Sequence, residues 1–417
     1  MVPSGWVRHL GSDITTKITK GSSPKWQGFD YQSEGTLFVT SENVRDGFLD
    51  VSKPKYLPLE FNQKLKNSQL QQGDILINIV GASIGRSCQY DLSEQQANIN
   101  QAVCLFRTNE LAESDFIQQY LQLPSTINRL LGTQSESARP NLSLSDMRDF
   151  LFALPPLPEQ RKIAKILSTW DKAISTTEKL IETSKQQKKA LMQQLLTGKK
   201  RLVDTETGKA FQGEWEEVKL GDVISLGRGF AFKSSQYADS GTKVVRVTNI
   251  ASSGHIDLSD CVYVPNEITN EYQKYALKNE DILLVMVGAT AGKLGFVSEN
   301  ILPSLLNQNM WSLRTRNLDK LNQLFLRHIA ERIVARYMLT QQGSARGFFT
   351  QSTFELVNFQ VPSVEEQQKI ASVLTAADKE IELLETKLAH FKQEKKALMQ
   401  QLLTGKRRLQ VAETEVA

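Results

Sequence analysis

The stretch Gly288-Ala-Thr-Ala-Gly-Lys293 places a lysine after two close glycines, the residue types that cradle a phosphate. Its spacing rules out a nucleotide-binding loop of that kind. Four residues are needed between the glycines and a Ser or Thr after the lysine, whereas three intervene here and Leu294 follows. Gly81-Ala-Ser-Ile-Gly-Arg86 keeps the same short spacing, so both stretches read as strand–turn–strand with a basic residue at the tip. The sequence holds no Asn-Pro-Pro-Tyr motif of the methyltransferase type. It also lacks paired nuclease carboxylates followed by a suitably spaced lysine and a defensible Ser/His/Asp set, and its four histidines are scattered. These residues suit binding, not catalysis.

Cations and amides crowd the segments expected to be loops. The first half offers Lys17, Lys20, Lys25, Asn43, Arg45, Lys53, Arg86, Arg139 and Asn141. The second offers Arg228, Lys233, Arg246, Asn249, Lys293 and Arg346, with Phe230, Phe232, Phe348 and Phe349 nearby. Phosphate oxygens are met by Lys, Arg and backbone amides, and base edges by Arg, Asn and Gln, so the set is suited to nucleic acid. Most single lysines in such a list are simply solvated. Arg86 with Lys293, and Arg139 with Arg346, recur at equivalent places and are the stronger candidates.

That equivalence comes from an internal repeat, which fixes the architecture. Lys188-Lys-Ala-Leu-Met-Gln-Gln-Leu-Leu-Thr-Gly-Lys199 returns letter for letter 207 residues later as Lys395 to Lys406. The same shift relates Glu159-Gln160 to Glu366-Gln367, Asp171 to Asp378, Asp74-Ile-Leu76 to Asp281-Ile-Leu283, Asn100-Gln101 to Asn307-Gln308, and Arg107 to Arg314. One module is written twice, with near-identical C-terminal parts and globular parts that share only a skeleton. Such a pattern suits one frame carrying two specificities.

Each copy ends in a long helical pattern. From Glu159 to Leu196, Ile163, Leu167, Trp170, Ile174, Thr177, Ile181, Ser184, Lys188, Leu191 and Leu195 follow a heptad seam, and the second copy repeats it from Ile370 to Leu402. Pro158 is expected just outside the first helix, and Gly198 and Gly405 stand where helix-capping glycines belong. A rod of roughly 57 Å needs a partner for its seam, and antiparallel pairing of the two rods is the simplest solution. Elsewhere, short β-rich runs (36–40, 74–80, 102–106, 243–248, 281–287) and helical patterns at 113–122 and 320–337 indicate mixed α/β domains. The expected fold class is α+β: two mixed α/β recognition domains joined by two long helices in an antiparallel coiled coil, with an internal pseudo-two-fold repeat. The expected boundaries are 1–153, 154–203 (helix), 204–360, 361–409 (helix) and a tail at 410–417.

Length and composition fit this plan. The chain has 417 residues and a net charge of +4, so any basic surface must be local. Three cysteines without metal-site spacing suit a reducing cytoplasm. No apolar run approaches the roughly 18 residues of a membrane span, and Met1-Val-Pro-Ser-Gly-Trp6 does not read as a signal peptide.

Several motifs together make the chain resemble the specificity subunits of type I restriction–modification systems. They are Leu154-Pro-Pro-Leu-Pro-Glu-Gln160, Val361-Pro-Ser-Val-Glu-Glu-Gln367, Gly229-Phe-Ala-Phe-Lys-Ser-Ser-Gln-Tyr237, Asp281 to Lys293 and Leu306-Asn-Gln-Asn309. The resemblance implies two target recognition domains, each reading half of a bipartite asymmetric DNA site, and helices that space them and dock two methyltransferase (modification) subunits. Motor–nuclease restriction subunits would join them. S-adenosylmethionine, ATP and Mg would then belong to the partners, with none bound by this chain. Lys20-Gly-Ser-Ser-Pro24 stands where the second domain has Arg228-Gly-Phe-Ala-Phe232, so the domains are expected to read different sequences. The rival expectations are a coiled-coil scaffold that holds proteins and an enzyme acting alone on DNA.

Overall fold

The aliphatic runs form buried strands close to where the sequence places them. The computed structural model describes residues 3–132, 141–340 and 349–410. It falls into two compact units, Met1–Lys179 with Thr386–Ala417, and Leu180–Glu385. The two long helices each contribute to both.

In the first unit an antiparallel sheet runs in the order Thr15–Lys20, Val103–Thr108, Ile75–Asn78, Ser87–Gln89. A three-stranded sheet pairs Thr36–Val39 antiparallel to Tyr56–Leu57 and parallel to Ala97–Ile99. A short ribbon joins Val7–Leu10 to Leu151–Leu154, immediately before the helix. The second unit repeats this plan strand for strand. Its sheets are Ile224–Arg228, Met310–Thr315, Ile282–Val285, Leu294–Phe296; then Val262–Val264, Thr242–Val245, Ser304–Leu306; and the ribbon Glu216–Lys219 with Asn358–Val361. The repeat seen in the letters is therefore a repeat of topology.

The skeleton of matches is explained by what those residues do. Asp74, 1 % exposed, accepts two hydrogen bonds from Arg107 at 2.6 and 2.8 Å and one from the Gln71 amide. Asp281 makes the equivalent bonds with Arg314 and the Lys278 amide. A buried carboxylate must be paired and hydrogen-bonded, so both members persist in both copies.

The long helices span Leu157–Leu195 and Val364–Leu402. The first begins earlier than expected, so Pro158 lies inside the first turn, where its missing N–H costs nothing. Gly198 and Gly405 end the helices at φ of 69° and 67°. A side chain at Gly405 would fall 2.3 Å from the Pro3 ring, and one at Gly198 would crowd Trp215.

Just past each helix, an arginine returns to a buried glutamate. Arg408 clasps Glu159 at 2.7 and 2.9 Å, and Arg201 clasps Glu366 at 2.6 and 2.7 Å. The adjacent glutamines stitch helix to domain. Gln160 bonds the backbone at Glu113, Leu111 and Pro155, and Gln367 bonds it at Asn322, Lys320 and Pro362.

Within each unit the helix segments pair antiparallel. In the first, Lys395 reaches Asp171, Lys392 reaches Glu178, and Trp170 packs edge-on against Phe391. In the second, Lys188 reaches Asp378 and Lys185 reaches Glu385. Lys188 and Lys395, which interrupt the seam in sequence, thus find carboxylates of the opposite copy.

The heptad expectation needs one correction. Ile163 and Leu167 lie in the first domain's core with Phe116 and Phe152, and Ile370 and Leu374 in the second's with Phe325 and Phe359. The helix ends serve domain packing as well as pairing. Ile381 is buried, but Ile174 is only half-buried.

Candidate nucleic-acid interface

The two glycine-rich turns connect antiparallel strands, as expected, but the basic residue does not sit at the tip. Gly85 and Gly292, at φ of 84° and 89°, reverse the chain one residue early. The carbonyls of Arg86 and Lys293 then accept from the amides of Asn78 and Val285, which puts both cations at the hairpin base. Lys293 spends its ammonium on the Ile250 carbonyl, whereas Arg86 is 42 % exposed and 3.8 Å from Asp46.

In the first domain the candidates form two groups. The 40–50 loop leans on the hairpin through the Gly47 amide, which donates to the Ser87 carbonyl, and this brings Arg45 and Arg86 together. Arg45 pairs with Asp50, whose carboxyl is held low first by hydrogen bonds from Ser52 and then by Arg45 itself. Asn141 is exposed and bridges to Val80 of the same hairpin. The side chain of Asn43 is consumed internally. It accepts from the Thr40 amide and donates to the Asp50 carbonyl at 2.9 Å each, so it shapes the loop that carries Arg45.

The other group is Lys17, Lys20 and Lys25, with Lys20 and Lys25 exposed. Folding adds two lysines that sequence reading missed, Lys64 and Lys66, which line one cleft with Lys17 and Lys20. Neither has a lysine at the repeat-related position, and only folding brings them near the strand. Lys53 is exposed elsewhere on the domain.

The second domain repeats the loop device with other chemistry. Asn249 accepts from the Arg246 amide and donates to the carbonyls of Asp257 and Asp260. Like Asn43 it is a buried staple, 2 % exposed. Arg246 is held by Asp260 at 3.1 Å. Arg228 donates to Gln351 at 2.8 Å, and Lys233 is exposed beside a cluster of Phe230, Phe232, Tyr272 and Tyr275. Arg139 and Arg346 lie outside the described residues.

The divergence falls at one address. Gly21 and Gly229 each pass so close to the Asn-Gln turn that a Cβ would lie 1.7 Å from the Ile99 carbonyl or 1.8 Å from that of Asn307. From these equivalent glycines the chains separate into Ser22-Ser23-Pro24-Lys25 and Phe230-Ala231-Phe232-Lys233.

The model of the type I restriction modification DNA specificity domain matches the chain twice, over residues 28–185 and 212–393. The chain belongs to this family. It is 26 % identical over 421 residues to the type I restriction enzyme MjaVIII specificity subunit of Methanocaldococcus jannaschii, covering 98 % of this chain and 94 % of that one. It is 24 % identical over 322 residues to the EcoBI specificity subunit of Escherichia coli, covering 72 % and 64 % respectively. In fold it is similar to the solved type I restriction–modification S subunit from M. genitalium, with a TM-score of 0.64 and 15 % identity over 99 % of this chain and all of that one. A chain of a solved type I R-M system gives a TM-score of 0.53 at 18 % identity, covering 98 % of this chain and all of that one. Among the described residues no helix is long and apolar enough to cross a membrane.

Proposed function

We propose that this chain is the DNA-reading subunit of a type I restriction–modification complex and has no catalytic role of its own. Each domain reads one half of a bipartite asymmetric duplex site. The long helices set the spacer and dock two modification subunits, which bring S-adenosylmethionine and flip the target adenine. Motor–nuclease restriction subunits, with ATP and Mg, complete the assembly.

The observation that carries this reading is the pairing of identical frames with different chemistry at the same address. The Asp74–Arg107 and Asp281–Arg314 clamps hold equivalent sheets, while the segments after Gly21 and Gly229 present serines before Lys25 in one domain and phenylalanines before Lys233 in the other. A frame kept twice with its working loops changed is what two independent readers require.

Binding to duplexes with one or both half-sites altered tests the proposal. Each half-site change is expected to cost about 1–3 kcal/mol per lost base contact, independently of the other. Affinity insensitive to sequence and salt would point to a protein scaffold.

A further inference from the structure

The first domain has a cleft of about 580 Å³ between the end of the Thr15–Lys20 strand and the 63–68 segment. Lys17, Lys20, Lys64 and Lys66 line it, and no carboxylate does. Clustered like charges repel, and here no acidic wall offsets them. The cleft is also built. Gly21 lets the strand end close on the Ile99 carbonyl, Gln27 donates to Ser22 at 3.0 Å, and Lys64 donates to the Gln27 carbonyl at 3.2 Å. On the turn that carries Gln27, Trp26 is 78 % exposed.

The second domain has the same backbone turn and keeps a cation, Arg228, where Lys20 stands, but Ser225, Glu271 and Gln273 replace Lys17, Lys64 and Lys66. After Gly229, Phe230 packs tilted against Tyr272 and Tyr275, with ring centroids 4.8 and 5.0 Å apart. These tyrosines come from Asn270–Tyr275, the segment that stands where Lys66–Ser68 stands in the first domain. Both segments lead into a bridge to the same strand of the three-stranded sheet, Gln69 to Asn98 and Ala276 to Leu305.

We propose that the lysine cleft grips consecutive phosphates of one DNA strand at the first half-site, and that the second domain has no equivalent grip. The backbone hold on DNA is then unequal between the half-sites, and Trp26 lies against the DNA at the rim. This rests on the DNA-reading function proposed above.

The test is a salt titration of duplex binding by the full chain, using the sequence methylated in its host and an unrelated duplex. Lys20 and Lys66 are exposed and have no ion pair among the described residues, so Lys20→Ala with Lys66→Ala should leave the fold intact. The double variant should bind both duplexes more weakly and lower the salt slope by about two. Lys20→Arg with Lys66→Arg should restore the slope, and Lys274→Ala in the second domain should not change it. Trp26 emission should change on saturation with DNA, and Trp26→Phe should remove that change. If the wild-type chain shows no salt-dependent duplex binding, the DNA-reading function itself fails. If it binds but the double variant keeps the full slope, or Trp26 emission is unmoved, the cleft proposal is overturned.

Discussion

A carboxylate that is 1 % exposed anchors the main sheet of each domain, and its arginine is the only side chain that can satisfy it bidentately. Removing one partner of a buried pair leaves the other uncompensated. Arg107→Ala and Arg314→Ala are therefore expected to destabilise their own domains by about 3–5 kcal/mol, measured by denaturant unfolding. An effect below about 1 kcal/mol, the size of a surface pair, would contradict this role. A second residue-scale test lies at His328, which contacts Thr375 at 3.1 Å and lies 4.0 Å from Asp378. Burial, helped by Lys188 and Arg327 and opposed by Asp378, pushes its pKa down to about 4. The unfolded histidine takes a proton below about 6.5, while the folded one stays neutral until about 4. The unfolded state thus binds more protons in that window, so stability is lost as pH falls from 6.5 toward 4. The first domain carries Gln119 at the equivalent place, an amide that donates to Asp171 at 2.6 Å and has no proton to gain in this range. Acid should therefore weaken the second domain in a way that His328→Leu abolishes. Identical pH profiles for the wild type and that variant would rule the histidine out.

At the scale of elements, the heptad seam was legible because its spacing persists through each 39-residue helix. Its division of labour was not. Periodicity reports which face is apolar but not whether a domain core or another helix covers it. Ile381 is 8 % exposed and Ile174 half-buried, so the two seam positions are no longer equivalent. Ile381→Glu should cost several kcal/mol by thermal or chemical unfolding, and Ile174→Glu distinctly less. Equal costs would mean the seam is packed alike at both sites. The small strands were harder to read: Tyr56–Leu57 has two residues and Ala97–Ile99 three, too short for any alternation to register. The candidate interface was legible in part. Arg45, Arg86, Lys20 and Lys25 stand exposed or half-exposed, but Asn43 and Asn249 proved to be loop staples because a buried amide is drawn to nearby backbone groups. Lys64 and Lys66 carried no repeat signal, and only the fold joins them to Lys17 and Lys20.

At the scale of the whole molecule, two readers on one frame need a fixed spacing, which we propose the long helices supply. Four residues inserted before Thr197 would lengthen the first helix by roughly 6 Å. Duplex DNA rises about 3.4 Å per base pair along a strand. The unread spacer should then grow by about one or two base pairs, with both half-sites unchanged. An active insertion variant with the original spacer would remove the helix as ruler, and altered half-sites would show that the domains do not read independently. The central claim, that one chain carries two separate readers, is tested most directly by mapping methylated adenines in cells that express this chain with its modification and restriction subunits. The account predicts a single asymmetric motif of two specified parts separated by an unspecified spacer of fixed length. A continuous motif, or two identical half-sites, would contradict it.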